Sequence, residues 1–264
     1  MRIDLTGKTA VVSGSSAGIG FAIAKGLAWA GARVIVTGRD EDKLAAAVKA
    51  IDAPEREVDV EGFAVDLSSA AGCAALLREH PAADILVNNL GIFEQKNAFE
   101  LDDDDWRRMF ETNVMSGVRL SRGYLPRMID SGWGRVLFLS SESARNVPPD
   151  MLHYGFSKAA VLAVSRGLAK RVAGNGVTVN ALLPGPTLSE GVAEMLAGDA
   201  EDDGRSLEQA AEAFVRAERP TSLLRRATSP EEVANMAVYL CSQQASATTG
   251  AAVRVDGGVV DDII

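Results

Sequence analysis

VVSGSSAGIGFAIA, residues 11–24, joins a short apolar run to a glycine- and serine-rich turn and then to an apolar, alanine-rich stretch. Strand, tight turn and helix are the natural reading. Two chemistries use that arrangement. Gly14-Ser15-Ser16-Ala17-Gly18 fits G-x-S-x-G, the turn that raises a nucleophilic serine above an α/β sheet. Gly14, Gly18 and Gly20 also fit a loop that receives a dinucleotide pyrophosphate. There, absent side chains let the ligand approach the backbone, and the helix N-terminus offers free N–H groups and a positive dipole end. The rest of the chain has to decide between them.

Short β-branched and apolar segments recur along the chain at 9–14, 32–38, 61–66, 83–89, 135–141, 177–185 and 252–258. They lack polar alternation, as expected of parallel strands covered on both faces. Helical patterns lie between them, among them 19–31, 41–51, about 69–79, about 103–130 and about 151–174, with Gly31 and Gly174 placed as helix ends. Strand–helix–strand repeated six times predicts a single α/β domain over 1–264, a doubly wound parallel seven-stranded sheet with helices on both faces. Residues 188–222 interrupt the rhythm with two expected helices, 189–197 and 206–217, around an acidic tip at 199–204 read as a solvated turn. Its place after a strand's carboxyl end makes it a candidate substrate lid.

Composition narrows the field. The chain has 264 residues, 47% of them hydrophobic, which provides a substantial core. A net charge of −9 without a basic run argues against nucleic acid as a partner. No apolar run reaches the length of a membrane span, and the first residues show no signal-peptide pattern, so a cytoplasmic location is expected. Cys73 and Cys241 are far apart and match no metal motif, and His80 and His153 are the only histidines, so no metal site is expected.

The hydrolase reading needs an acid and then a histidine after the serine, and its elbow normally follows several strands rather than the first. The dinucleotide reading gains a second element in Tyr154-Gly-Phe-Ser-Lys158, which sets a phenol and an ammonium on one helix face. The ammonium would favour phenolate and lower the tyrosine pKa. Ser141 ends the fifth strand thirteen residues before Tyr154 and could hold a substrate oxygen or merely cap a turn.

Taken together, Gly14 to Gly20, Asp66, Asn88-Asn89-Leu90-Gly91, Asn113, Ser141, Tyr154, Lys158, Pro184-Gly185 and Asp256-Gly257-Gly258 resemble the short-chain dehydrogenase/reductase family, in its 3-oxoacyl-carrier-protein-reductase-like subgroup. The resemblance spans nearly the whole chain, implies a single-domain Rossmann fold, and makes Ser16 a loop residue near the cofactor phosphates rather than a nucleophile. It implies that Tyr154 is the general acid or base, that Lys158 lowers its pKa and holds the nicotinamide ribose, that Ser141 polarises the substrate carbonyl, and that Asn113 holds a water linking Lys158 to solvent. It places Gly14, Ser16, Gly18, Ile19, Gly20, Asn88, Gly91, Pro184, Gly185 and Thr187 along the cofactor, with Asp66 and Leu67 by the adenine. Leu90 departs from the family's usual alanine and adds bulk near the cofactor.

Gly38 stands where an acidic residue at the end of the second strand would hold both ribose hydroxyls of NAD(H), and Arg39 follows it as a partner for a 2′-phosphate. NADP(H) is therefore expected, with Asp40 keeping NAD(H) open unless it only caps the next helix. Ile92, Phe93, Glu142, Ala144, Val147, Met151, Leu188 and Val192 are candidate pocket walls for a small carbonyl/alcohol substrate, and His153 is a further candidate contact or a packing residue. The resemblance also implies a homotetramer or homodimer joined through the helices at about 103–130 and 151–174. A noncatalytic dinucleotide-binding regulator and a lyase or epimerase with a retained cofactor remain alternative readings.

Overall fold

The computed structural model describes residues 2–52, 58–202 and 204–263, without the side chains of Asp199 and Asp202. Seven parallel strands form one sheet: β1 (Thr9–Val12), β2 (Arg33–Gly38), β3 (Val60–Ala64), β4 (Ile85–Asn88), β5 (Gly134–Leu139), β6 (Val177–Pro184) and β7 (Ala252–Val255), in the spatial order β3-β2-β1-β4-β5-β6-β7. The connections reverse direction between β1 and β4, and a crevice opens beyond their carboxyl ends at that point.

Both sheet faces are covered, which is why the strands read as unbroken apolar runs. On one face Val12, Val34, Val36 and Val87 pack beneath α1 (Gly18–Trp29), α2 (Glu41–Ile51) and α9 (Pro230–Leu240) through Ile23, Leu44 and Val233. On the other, Val11, Leu86, Val136 and Val179 pack beneath α3 (Ala70–Glu79), α5 (Ser116–Asp130) and α6 (Leu152–Arg171) through Leu76, Tyr124 and Val161. Gly31 and Gly174, just beyond α1 and α6, have φ of +97° and +81°, as expected of residues that end helices.

Three segments differ from expectation. The helix foreseen at 103–130 is α4 (Asp103–Phe110) and α5 joined by a π-helical turn at Glu111–Met115. A widened turn of this kind often marks a functional site, and this one carries Asn113. Next, the acidic tip is not a free turn. Helix α7 (Glu190–Asp202) runs through most of it, because Ala200 is buried with Leu196 against Ala210 and Ala211 of α8 (Leu207–Glu218). Asp203, also assigned to the tip, lies outside the described residues. Last, Arg135, expected simply to begin a strand, is buried beneath β5. Its guanidinium donates to Ser242 O at 3.1 Å and Gly134 O at 2.8 Å and lies 4.5 Å from the Trp133 ring centroid.

The β1–α1 turn is the tightest point near the crevice. Gly14 and Gly18 have φ of +62° and +57°, a region that side chains disfavour. A Cβ on Gly20 would lie 2.3 Å from Gly14 O and 2.4 Å from Asn89 Nδ2, so the loop lies directly on the helix only because residue 20 has none. Gly20→Ala should therefore cost about 1–3 kcal/mol of overpacking. Differential scanning calorimetry should record a Tm lower by roughly 2–12 °C.

Candidate active site

The glycine loop is held from β4. The Asn89 amide donates to Ser13 O at 3.0 Å and to Gly14 O at 2.8 Å, while Ser13 Oγ accepts from the Asn89 and Leu90 N–H groups. The residue before α1 is Ala17, which supplies no side-chain cap, so the helix presents free N–H groups to the crevice. A hollow of about 290 Å³ lies here, lined by Gly14, Gly18, Ile19, Gly20, Leu90 and Gly91. Leu90 packs toward the core beside Gly14 and occupies part of the space an alanine would leave. The start of the 188–222 insertion closes the other side: a Cβ on Gly18 would sit 3.4 Å from Ser189 Cβ, and Lys43 pairs with Glu190 at 3.5 Å.

At the end of β2 a Cβ on Gly38 would lie 3.0 Å from Ser16 Oγ, so Ser16 fills the place of an acidic side chain. Arg39 is exposed beside it. Asp40 is the N-cap of α2 and accepts from Lys43 N at 2.9 Å, which commits it to the helix. Asp66 is exposed just beyond β3, and its carboxylate, bonded by Ser68 N and Oγ, is held below its ordinary range chiefly by the hydroxyl. Leu67 is buried in the core, so only its backbone faces a ligand. Asn88 is turned away from both cavities and donates to Ser121 Oγ at 3.2 Å, whereas its neighbour Asn89 lines them.

Beyond β5 the polar groups interlock. Lys158 donates from Nζ to Leu139 O at 2.9 Å, and Ser140 Oγ returns a bond to Lys158 O at 2.8 Å. The Asn113 amide bridges three segments: it accepts from Ile92 N at 2.8 Å and donates to Ile92 O and to Ser157 Oγ, both at 2.9 Å. Ser157 in turn donates to Tyr154 O at 2.7 Å. Ser141 is observed in one of the two ways its sequence position allows, as a cap. Its Oγ caps the following turn from Ser143 N at 3.1 Å, and it stands near enough to Tyr154 to lower the phenol's pKa.

These groups open on a cavity of about 210 Å³ that also reaches Ile19, Gly91, Pro184, Gly185 and Thr187. Of the expected wall residues, Ile92, Phe93, Glu142, Met151 and Val192 line it, while Ala144, Val147 and Leu188 do not. Gln95, Ser143, Met195, Phe214 and Arg219 were not foreseen. Arg219 has the largest effect among them. It lies just beyond α8, and its Nε donates to Glu142 Oε1 at 2.9 Å, forming an ion pair inside the cavity. His153 is fully buried, stacked edge-on to Trp106 at 6.3 Å and absent from the cavity wall, so it packs.

The electrostatics depart from the expectation that Lys158 depresses the tyrosine. Burial pushes the Tyr154 phenol up to about 12; Glu142 adds to the rise, while Ser141 and Arg219 oppose it. Burial alone draws Lys158 down to about 8. The ammonium lies 5.7 Å from the Tyr154 ring centroid and spends a donor on Leu139, so it makes no direct bond to the phenol. Among the described residues, no cluster of His, Cys, Asp or Glu could hold a metal, and no helix is long and apolar enough to cross a membrane.

A protein-family model described as enoyl-(acyl carrier protein) reductase matches residues 14–260. The uncharacterized oxidoreductase YvaG of Bacillus subtilis is 44% identical over 263 residues, covering 100% of both chains. The 3-oxoacyl-[acyl-carrier-protein] reductase FabG of Aquifex aeolicus is 32% identical over 98% of this chain and 100% of its own. The structure of L-sorbose reductase from Gluconobacter frateurii, complexed with NADPH and L-sorbose, superposes with a TM-score of 0.93 at 32% identity over 100% of both chains. A putative NAD(P)-dependent gluconate 5-dehydrogenase from Beutenbergia cavernae, with NADP bound at low occupancy, superposes with a TM-score of 0.87 at 32% identity over 99% and 100% of the two chains.

The depressed Lys158 pKa carries a signed prediction. From about pH 8 to 10.5 the folded lysine has lost a proton that the unfolded chain still holds, so wild-type stability rises with pH across that window. Lys158→Met lacks this contribution. The wild-type Tm minus the variant Tm should therefore grow between pH 8 and 10, and a flat difference would mean that the ammonium is not desolvated.

Proposed function

The chain belongs to the short-chain dehydrogenase/reductase family, and on that premise we propose that it is an NADP(H)-preferring oxidoreductase interconverting a small carbonyl compound and its alcohol. The observation that carries this reading is the convergence of Ser141, Tyr154 and Lys158 on one cavity, next to a glycine cradle that an added Cβ would fill.

The residues present fit the cofactor. The uncapped α1 N-terminus and the loop from Gly14 to Gly20 suit the pyrophosphate, with Ser16 beside it. Gly38 supplies no carboxylate to the adenosine ribose, Asp40 is committed to its cap, and the exposed Arg39 is free in position to meet a 2′-phosphate. Asp66 and the Leu67 backbone stand at the adenine end, and Gly91, Pro184, Gly185 and Thr187 at the nicotinamide end, where Lys158 is placed for the ribose hydroxyls. Bound NADPH supplies the hydride.

The protein's own part is position and a proton. Ser141 Oγ and the Tyr154 hydroxyl line the same cavity and form a two-donor seat for the carbonyl oxygen. Tyr154 is neutral near pH 7 and delivers its proton to that oxygen in reduction. Lys158, charged near pH 7, favours the phenolate that remains. Asn113 fixes the π-helical turn against α6. Because its side-chain bonds go to Ile92 and Ser157, its role in a water path to Lys158 falls to groups those bonds leave free. Helices α7 and α8 serve as the substrate lid, supported by the contact of Ser189 with the glycine loop and by Arg219 in the cavity. Exposed Phe110 and Phe156 on α4 and α6 support association of copies through those helices as a homodimer or homotetramer.

Fluorescence titration with NADPH and NADH tests the cofactor assignment. Arg39→Ala should weaken NADPH by about 10- to 100-fold, the loss of a charged hydrogen bond, and leave NADH binding unchanged. Equal losses for both cofactors would remove Arg39 from the 2′-phosphate. Tyr154→Phe should keep NADPH affinity and lower kcat by about 10²–10⁴-fold. Near-full turnover in that variant would end the proton-donor role.

A further inference from the structure

Glu142 follows Ser141 directly and is a carboxylate buried in the substrate cavity, 3% exposed. Its two oxygens are used unequally. Oε1 accepts from Arg219 Nε at 2.9 Å and from Ser143 Oγ at 3.1 Å. Oε2 is buried and has no partner within the protein. Arg219 is itself held by a bond from Nη1 to Glu218 O at 2.8 Å. The cavity is therefore two-sided. Phe93, Met151, Val192, Met195 and Phe214 make an apolar wall, and Glu142 with Arg219 makes a polar corner adjoining Ser141 and Tyr154.

A buried acceptor without a donor is costly, and the cost is larger when the acceptor is charged. Glu142 lines the cavity, and a ligand hydroxyl there can supply the missing donor. A hydroxyl donates. An acyl chain, a thioester carbonyl and a carboxylate do not. An ammonium would find little attraction, because Arg219 already balances the carboxylate's charge.

We propose that Glu142, clamped by Arg219, is a specificity-determining residue that accepts a hydrogen bond from a substrate hydroxyl on a carbon next to the reacting carbonyl, so that the site takes hydroxylated ketones rather than acyl chains. This rests on the oxidoreductase reading above and deepens it. The apolar wall then packs the carbon skeleton, and the Ser141–Tyr154 pair takes the carbonyl oxygen.

The test compares ketones of matched shape with NADPH as reductant: hydroxyacetone against butanone, dihydroxyacetone against diethyl ketone, and ethyl acetoacetate as the acyl mimic. In the wild type, kcat/KM should favour each hydroxyketone over its partner by about 10- to 100-fold, the range for a hydrogen bond to a charged group. Glu142→Gln should shrink that ratio at least tenfold, read as a ratio so that a general loss of activity does not count. Tm and NADPH affinity report whether the variant is folded, and where it is not, the wild-type ratios decide. Equal rates within each pair, preference for ethyl acetoacetate, or an undiminished ratio in folded Glu142→Gln would each overturn the assignment while leaving the oxidoreductase reading intact. Reduction of none of these ketones by protein that binds NADPH would fell that reading, and this one with it.

Discussion

One backbone contact governs the rest of the molecule: the glycine loop after β1 lies against the first turn of α1 with no room for a side chain at residue 20. That approach lets the Asn89 amide reach Ser13 and Gly14 at once, which ties the end of β4 to the end of β1. The tie sits where the sheet's connections reverse, so it holds the crevice open at a fixed width. It also explains why Ala17 can stand at the head of α1. The helix end is oriented by backbone packing and needs no side-chain cap, which leaves its N–H groups to a ligand.

The second organising element is a closed set of bonds between β5 and α6. Ser140 and Lys158 hold each other across strand and helix, and Asn113 and Ser157 carry the same registration to the segment after β4. The cost of this rigidity appears in the charges. Lys158 is buried and Tyr154 half-buried, both are pushed toward their neutral forms, and neither compensates the other. Without ligands the protein therefore keeps a neutral phenol.

The parallel seven-stranded sheet and the identity of the polar cluster were legible because they rest on local patterns: apolar runs of strand length, glycines at fixed offsets, and a tyrosine and lysine one helical turn apart. What was hidden depends on distance in the chain or on two uses of one residue. Arg219 lies 77 residues from Glu142, in a helical insertion with nothing local to suggest that it enters the cavity. The π-helical turn around Asn113 gives no break in the helical pattern. The acidic stretch at 199–204 resembles a solvated turn by composition, yet the alanine at 200 and its packing on α8 carry the helix through to Asp202. The tyrosine–lysine pairing was right in place, but the net rise of the phenol's pKa was hidden, because spacing reveals proximity and says nothing of desolvation.

The base of the insertion has a further consequence. Thr187 and Thr228 lie side by side, bonded through their hydroxyls at 2.9 Å, with Leu188 N donating to Thr228 O and Thr228 N to Pro186 O, each at 2.9 Å. The segment between them leaves and rejoins the body of the fold through a stapled neck. A loop closed at its base adds entropy cost only slowly as it lengthens. The sheet and its polar cluster thus form a floor to which the insertion is added as a roof. Natural variation can rewrite or resize the roof without re-registering a single strand, and so change what is recognised while leaving the proton-transfer apparatus untouched.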